Sequence, residues 1–282
     1  MMFGLIKSDL YKIFRMKSFY ICGILAGLIS GLFIFVFDLS EKMRYEMYGI
    51  ADMYVSPYTG IYSFTLGISF AILFVLILTS MFIQSEFKFG TIKNMAAAGF
   101  SKSAIYFSKY ISMIFITVVY TLVCGAASFA AGCFLAGAGE FNRAVFLDLL
   151  EVFGLFLLAQ IALQSIFTMI SFFIRSTGWT IVANLLVYLI LPNAFEYIDL
   201  LVNNWLASVI SSVEWLSSWI KIDNFSISKY WPLRYTGEFT NLDYLHMEFF
   251  GEILTTGIIV CVAYIVLSTL LGVLVFKKRD ID

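Results

Sequence analysis

Charged residues are scarce in this chain: only 13% of its 282 residues are Asp, Glu, Lys or Arg, whereas 61% are hydrophobic. Soluble domains average about 25% charged and about 45–50% apolar residues. Proline is scarce too, with three in the chain, and the mean hydropathy of +0.92 excludes a disordered or linker-rich protein. The net charge of −1 leaves no surplus of basic residues for nucleic-acid binding, so no nucleic-acid partner is expected.

Residues suited to catalysis or metal binding are also lacking. The single histidine, His246, has no further metal ligand at a useful spacing, and the four cysteines fall in apolar runs without a CxxC pattern. The P-loop, the HExxH metalloprotease motif and the GxSxG hydrolase motif are absent from the sequence. We therefore expect no catalytic, cofactor-binding or metal site, and no enzymatic activity of the chain itself.

Long apolar runs are what the sequence has instead. A helix needs about 20 mostly apolar residues to cross the hydrocarbon core of a bilayer. Six runs without Asp, Glu, Lys or Arg meet this length, and the alternating polarity of a membrane β-barrel is absent. These runs cover residues 19–37, 61–83, 110–136, 152–174, 178–195 and 253–276. The sequence predicts an all-α polytopic membrane protein with six transmembrane helices, forming one transmembrane domain over residues 1–282.

Basic residues are distributed unevenly between the two sides of these predicted spans. The side that holds both termini carries twelve of the 18 Lys and Arg residues but only four of the 19 Asp and Glu residues. By the positive-inside rule, both termini are predicted to be cytoplasmic in a multi-pass plasma-membrane protein. The first run is longer than the 7–15 apolar residues of a signal peptide, so we expect it to remain uncleaved.

Residues 1–18 precede the first span and are predicted to form an amphipathic helix. Apolar side chains recur there at helical spacing, and the basic residues lie away from that stripe. A helix of this kind lies in the interface of the anionic cytoplasmic leaflet, which makes membrane lipid an expected partner. The stripe consists of Phe3, Ile6, Leu10, Ile13 and Phe14.

The outward-facing connection of residues 196–252 contains a second amphipathic pattern, which begins near Leu201. It includes four of the five tryptophans, among them Trp205, Trp215 and Trp219. Aromatic rings of this kind are typical of anchoring at the membrane interface. The alternative is an outer gate for a substrate or a receptor for an amphipathic peptide.

Small residues recur every four positions in the first span, at Gly23, Gly27 and Gly31. Such spacing lets helix backbones approach closely. Two interpretations are open: these glycines pack within the chain, or they form a dimer interface with a second subunit.

The polar residues inside the predicted spans are uncharged, and Gln160, Gln164 and Asn184 are the candidates for groups along a transport pathway. Ion-coupled transporters usually carry an ionisable residue near the membrane midplane. The absence of one in this sequence favours energy supplied by a partner.

Residues 84–109 form the connection between the second and third spans. Residues 92–98 are predicted to form a short helix that ends before Gly99, and Ser101 is predicted to cap the helix of the third span. A short helix between two spans fits a groove on another protein. We expect the Glu86 carboxylate to be solvated or to meet a donor on that partner; the alternative is that it only caps the adjoining short helix through the helix dipole. Gly90 is expected to permit a tight bend or a close approach.

The segment Glu86-Phe-Lys-Phe-Gly-Thr-Ile-Lys-Asn, followed by Gly99-Phe-Ser-Lys, resembles the coupling segment of type-2 ABC exporter permeases, including bacterial bacitracin/lantibiotic-type permeases. The six-span layout and the basic C-terminal tail extend the resemblance. It implies a second permease copy, identical or homologous, and a dimer of cytoplasmic ATPase subunits that bind ATP and Mg²⁺. The residues it assigns to contact with the ATPase are Glu86, Phe87, Gly90 and Thr91 in the coupling helix and Arg175 in a smaller second contact.

The function that the resemblance implies is ATP-driven export. The expected cargo is peptides or other hydrophobic compounds, as in antimicrobial-peptide export or immunity, from the cytoplasm of a bacterium. The alternatives are a membrane assembly or sensor subunit that transports nothing, and a secondary transporter.

Overall fold

The computed structural model describes residues 2–49, 55–139, 142–211, 226–239 and 250–278. These residues are almost entirely helical, and they contain no strand. A 3-10 turn, Ile68–Phe70, joins α3 to α4, and a π-helical turn, Leu186–Ile190, joins α8 to α9, so each pair forms one rod. In chain order the α-helices are α1 Met2–Arg15, α2 Lys17–Met47, α3 Gly60–Gly67, α4 Ala71–Lys88, α5 Thr91–Ala97, α6 Lys102–Ala136, α7 Arg143–Phe173, α8 Thr177–Leu185, α9 Leu191–Ser211, α10 Pro232–Phe239 and α11 Phe250–Lys278.

Six helical segments are long and apolar enough to cross a membrane, which confirms the predicted number of spans. They are Lys17–Met47, Gly60–Lys88, Lys102–Ala136, Arg143–Phe173, Thr177–Trp205 and Ile253–Lys278. Most of them extend well beyond the apolar runs. A helix continues until a cap or a turn ends it, whether or not its residues are still apolar. For example, α7 already begins at Arg143, before the apolar run, because the Asn142 side chain caps the helix there and accepts a hydrogen bond from the Val145 N–H at 2.9 Å.

The fifth span does not end near residue 195 as the sequence indicated. The rod of α8, the π-helical turn and α9 continues to Ser211, so the start of the second amphipathic pattern is an extension of this span. Pro192 lies just after the π-helical turn, where the changed hydrogen-bond register tolerates the missing N–H of proline. The rest of the pattern, with Trp215 and Trp219, lies outside the described residues.

The centre of the bundle is α6, which packs against α1, α2, α3, α4, α7 and α11. Its contact with α3 is the closest, because a Cβ at Gly67 would overlap the side chain of Ser128. The glycines of the first span also face α6 of the same chain: a Cβ at Gly27 would lie 3.5 Å from Cγ1 of Val123. The structure therefore places Gly23, Gly27 and Gly31 in an intrachain contact.

The chain that returns from the region after α9 is tied to that helix by Asp199. The Asp199 carboxylate accepts hydrogen bonds from the N–H groups of Ile227 at 2.6 Å and Ser228 at 2.9 Å. Trp231 then buries its ring against Phe195 and Tyr264, with ring centroids 5.6 Å from each. This contact joins the fifth and sixth spans, and Trp231 is buried in one cluster with Leu76 of α4 and Leu163 of α7.

Candidate functional site

The predicted coupling segment forms a sharp bend followed by a short helix. α4 ends at Lys88, and Gly90 adopts the left-handed conformation, with φ +67° and ψ 13°, before α5 begins. Nothing lies within 4 Å of a Cβ built on Gly90, so the position requires glycine for its backbone conformation and not for a close approach. The Thr91 hydroxyl donates to the Glu86 carbonyl at 2.9 Å and joins the two helices across the bend.

α5 confirms the short helix expected before Gly99, and Ser101 confirms the predicted cap, since its hydroxyl accepts from the Ala104 N–H at 3.2 Å. Only Ile92 of this helix is buried. Phe89, at the bend, is 74% exposed, and Lys93 and Asn94 are exposed beside it. An aromatic ring next to a cation and an amide forms a protruding surface at this end of the bundle.

Glu86 is placed differently from the sequence expectation. It is only 4% exposed, and its carboxylate accepts hydrogen bonds from Lys109 at 2.7 Å and from Lys12 at 3.1 Å. Its donors therefore come from α6 and α1 of the same chain, and solvent or a partner protein is not needed to satisfy it. The reason is that α1 packs against α6, which brings Lys12 to Glu86 at the end of α4.

Lys109 is fully buried and pairs with Asp9 as well as with Glu86. The four groups Asp9, Lys12, Glu86 and Lys109 form a neutral set, which we call the charge cluster. Buried charges persist only when they are paired and hydrogen-bonded, because an isolated charge loses its hydration without compensation. Burial raises the pKa of the Asp9 carboxyl, and the adjacent Lys109 ammonium opposes that rise.

The charge cluster also changes the description of α1. The packed face of this helix consists of Leu5, Asp9 and Ile13, while Phe3 is 86% exposed. The predicted apolar stripe is therefore divided, since Ile13 contacts the bundle and Phe3 points away from it. A polar residue at the centre of the packed face is explained by its ion pair with Lys109.

Gln84 joins the coupling segment to the turn between α7 and α8. Its amide donates to the carbonyls of Ser171 at 2.7 Å and Ile174 at 2.8 Å, and to the Thr180 hydroxyl at 3.1 Å. Arg175, the predicted second contact, lies in this same turn and is exposed. The two connections assigned to the ATPase thus lie side by side at one end of the bundle.

Phe87 points inward and packs against Phe172 and Phe276, with ring centroids 5.7 and 6.3 Å apart. It therefore stabilises the ends of α4, α7 and α11 against one another. Phe89, two residues later, is exposed at this end of the bundle, as are Phe173 and Trp179 on either side of the turn that contains Arg175.

The polar residues proposed to line a pathway lie between helices of this chain. Gln164 donates to the Thr79 hydroxyl at 2.9 Å, and Asn184 donates to the Ser80 hydroxyl at 2.8 Å. Gln160 is buried, and neither polar atom of its amide has a hydrogen-bond partner among the described residues. Trp205, which with Trp231 is one of the two described tryptophans of the outer connection, is exposed on α9.

Asp9, Gln84 and Lys109 are site residues that the sequence analysis did not identify. Asp9 and Lys109 lie in the polar connections whose charges predict the orientation of the chain. Gln84 is the first residue after the apolar run of residues 61–83. One sequence feature could have identified Lys109: it lies one residue before a long apolar run. A lysine that is buried at the end of such a run requires a counter-charge.

Residues 5–193, about two thirds of the chain, match the family described as ABC-2 family transporter protein. The matched region includes α1, the charge cluster, the coupling segment and the turn that contains Arg175. A search of curated proteins finds no match.

Proposed function

We propose, from the premise that this chain belongs to the ABC-2 family of transporter proteins, that it exports its substrate with energy delivered through α5. Membership of the family makes the chain a multi-pass permease subunit of an ABC transporter and implies an ATPase subunit as its partner. The family is the membrane component and has no ATPase activity of its own. The direction of transport, the cargo and the contact residues are the proposal.

The observation that carries the proposal is the adjacency of the two predicted contact regions. α5 projects from the end of α4, and Gln84 fixes it beside the turn that contains Arg175. Phe89 and Lys93 are exposed on this surface, which suits a groove with an apolar floor and an acidic rim. The ATPase dimer, with its ATP and Mg²⁺, would bind at this surface.

Glu86, Phe87, Gly90 and Thr91 act in this proposal by positioning α5. Glu86 and Phe87 hold the end of α4 through the charge cluster and the aromatic contacts, while Gly90 and Thr91 set the angle at which α5 leaves it. A movement of the ATPase against α5 would then reach α4, α6 and α7 as a movement of whole helices.

The proposed contact is tested by replacing Phe89 with aspartate. An exposed aromatic ring that fills a pocket is the kind of residue whose loss weakens an interface by about 2 kcal/mol or more. We expect Phe89→Asp to lower recovery of the ATPase subunit with affinity-tagged permease by at least about tenfold. Tyr48→Asp is the matched control, because Tyr48 is equally exposed at the opposite end of the bundle. Equal recovery from both variants would contradict the contact.

The proposed orientation places α5 and both termini in the cytoplasm. In intact cells, a thiol reagent that does not cross the membrane should label a cysteine at Met47 and should not label one at Lys93. Met47 is exposed at the end of α2 and Lys93 is exposed on α5, so both positions are reachable from their own side. The background chain should have Cys22, Cys124, Cys133 and Cys261 replaced. Labelling at Lys93 without permeabilisation would reverse the orientation.

The proposed cargo is peptides or other hydrophobic compounds, as in antimicrobial-peptide export or immunity. The support is chemical: the polar side chains Gln164 and Asn184 bind neighbouring helices of the same chain, and the buried ion pairs of Lys109 lie at the α5 end. In this proposal a second permease copy completes the translocation path, and the aromatic outer segment that includes Trp205 contacts the emerging cargo.

A further inference from the structure

An apolar groove lies at the end of the bundle opposite to α5. It has a volume of about 460 Å³ and is formed by α3, α6 and α7. Four phenylalanines form most of its walls, and every lining side chain is apolar. They are Phe64 from α3, Phe129 from α6, and Phe146 and Phe153 from α7.

On one side of the groove, α3 and α6 are in contact and cannot approach each other further. A Cβ at Gly125 of α6 would lie 2.5 Å from the ring of Phe64, so α3 and α6 already touch. Phe64 and Phe153 meet at the inner end of the groove, with ring centroids 6.3 Å apart. The groove is therefore the space left where α7 diverges from α3 and α6.

All three walls belong to candidate membrane spans, namely Gly60–Lys88, Lys102–Ala136 and Arg143–Phe173. An empty apolar groove forfeits dispersion contacts along its whole lining. Water cannot fill it favourably because the lining offers no hydrogen-bond partner. Where these spans cross the bilayer the surrounding medium is hydrocarbon, and a volume of this size lies within the about 300–1,000 Å³ range of ligand pockets.

The helix α7, which supplies one wall of the groove, begins with a positively charged residue. Arg143 is exposed, is the first residue of α7, and lies one turn before the groove residue Phe146. The partial positive charge of the helix N-terminus adds to that of the guanidinium. With about 3.6 residues per turn, the acidic residues Asp148 and Glu151 fall on the opposite face of α7 from Phe146, Leu150 and Phe153. The charge beside the groove therefore complements a phosphate.

We propose that this groove binds one acyl chain of a phospholipid from the leaflet remote from α1 and α5, with the phosphate of that lipid contacting Arg143. The proposal rests on the membrane-spanning fold and is independent of the cargo and of the ATPase contact. A bound lipid would fill the gap between α6 and α7 and hold these two helices at a fixed separation.

Photolabelling in lipid nanodiscs tests the proposal. The nanodiscs contain phosphatidylethanolamine, phosphatidylglycerol and a trace of phosphatidylglycerol with a diazirine on one acyl chain. Mass spectrometry then measures the label on peptides of α6 and α7. Ala126 lines the groove and is exposed, so Ala126→Phe fills the groove without entering the core. Ala263→Phe, at an exposed position of α11, is the matched control.

We expect Ala126→Phe to lower the label on the groove peptides at least about fivefold relative to Ala263→Phe, because the new ring would occupy the space of the acyl chain. Arg143→Gln should lower it about tenfold, because a charge-assisted contact with the phosphate is lost. Unchanged labelling in Ala126→Phe would overturn the site. Labelling that is lost in Ala126→Phe but retained in Arg143→Gln would overturn the contact between the lipid phosphate and Arg143.

Discussion

Replacing Lys109 with methionine should destabilise the permease by about 3–5 kcal/mol. The change leaves Asp9 and Glu86 buried without their shared cation, since both carboxylates pair with Lys109. Lys12 reaches only Glu86, so Asp9 would lose its ion-pair partner. The measurement is thermal unfolding of the detergent-solubilised protein, together with the yield of monodisperse permease.

Two further variants separate loss of the charge cluster from loss of a lysine. Lys93→Met removes an exposed lysine from α5 and should change the free energy of unfolding by no more than about 0.5 kcal/mol. Combining Lys109→Met with Asp9→Leu and Glu86→Met removes the three buried charges of the charge cluster and should restore most of the stability, because apolar side chains of similar size can replace a buried ion pair. If Lys109→Met unfolds like the unmodified protein, the charge cluster does not exist as described.

The existence of six spans could be predicted because it depends only on the length of apolar runs. The short helix before Gly99 and the Ser101 cap were also predictable, since both depend on residues within a few positions of each other. The continuation of the fifth span beyond residue 195 was not, because a helix through Pro192 requires a π-helical turn that no local pattern announces.

The charge cluster could not be predicted because it joins parts of the chain that are far apart. Asp9 and Lys109 are separated by 100 residues, and Lys12 and Glu86 by 74. In the sequence each lies in a polar flank, where solvation is the simplest expectation. Only the packing of α1 against α6 makes these flanks an interior. The same argument applies to Gln84, whose acceptors lie at Ser171, Ile174 and Thr180.

Replacing Gly90 with valine should uncouple ATP hydrolysis from transport. The left-handed conformation at Gly90 costs an L-residue roughly 1–2 kcal/mol and is least accessible to β-branched side chains. α5 has seven residues, too few to keep its direction without the bend that precedes it. We therefore expect α5 to leave α4 at another angle and transport per ATP hydrolysed to fall at least about tenfold, the factor that corresponds to 1.4 kcal/mol.

The measurement is ATP-dependent uptake of a fluorescent amphipathic peptide by inside-out vesicles, with ATP hydrolysis followed in the same vesicles. Gly154→Val is the matched control, because a Cβ at Gly154 on α7 has open space around it and that backbone is helical. Gly90→Asn should retain most coupling, since asparagine tolerates the left-handed conformation better than other non-glycine residues. Loss of coupling in both Gly90 variants would mean that side-chain volume at this position matters and its conformation does not. Unchanged transport per ATP in Gly90→Val would show that the bend has no role in coupling. The charge cluster and Gln84 would then only stabilise the ends of the helices.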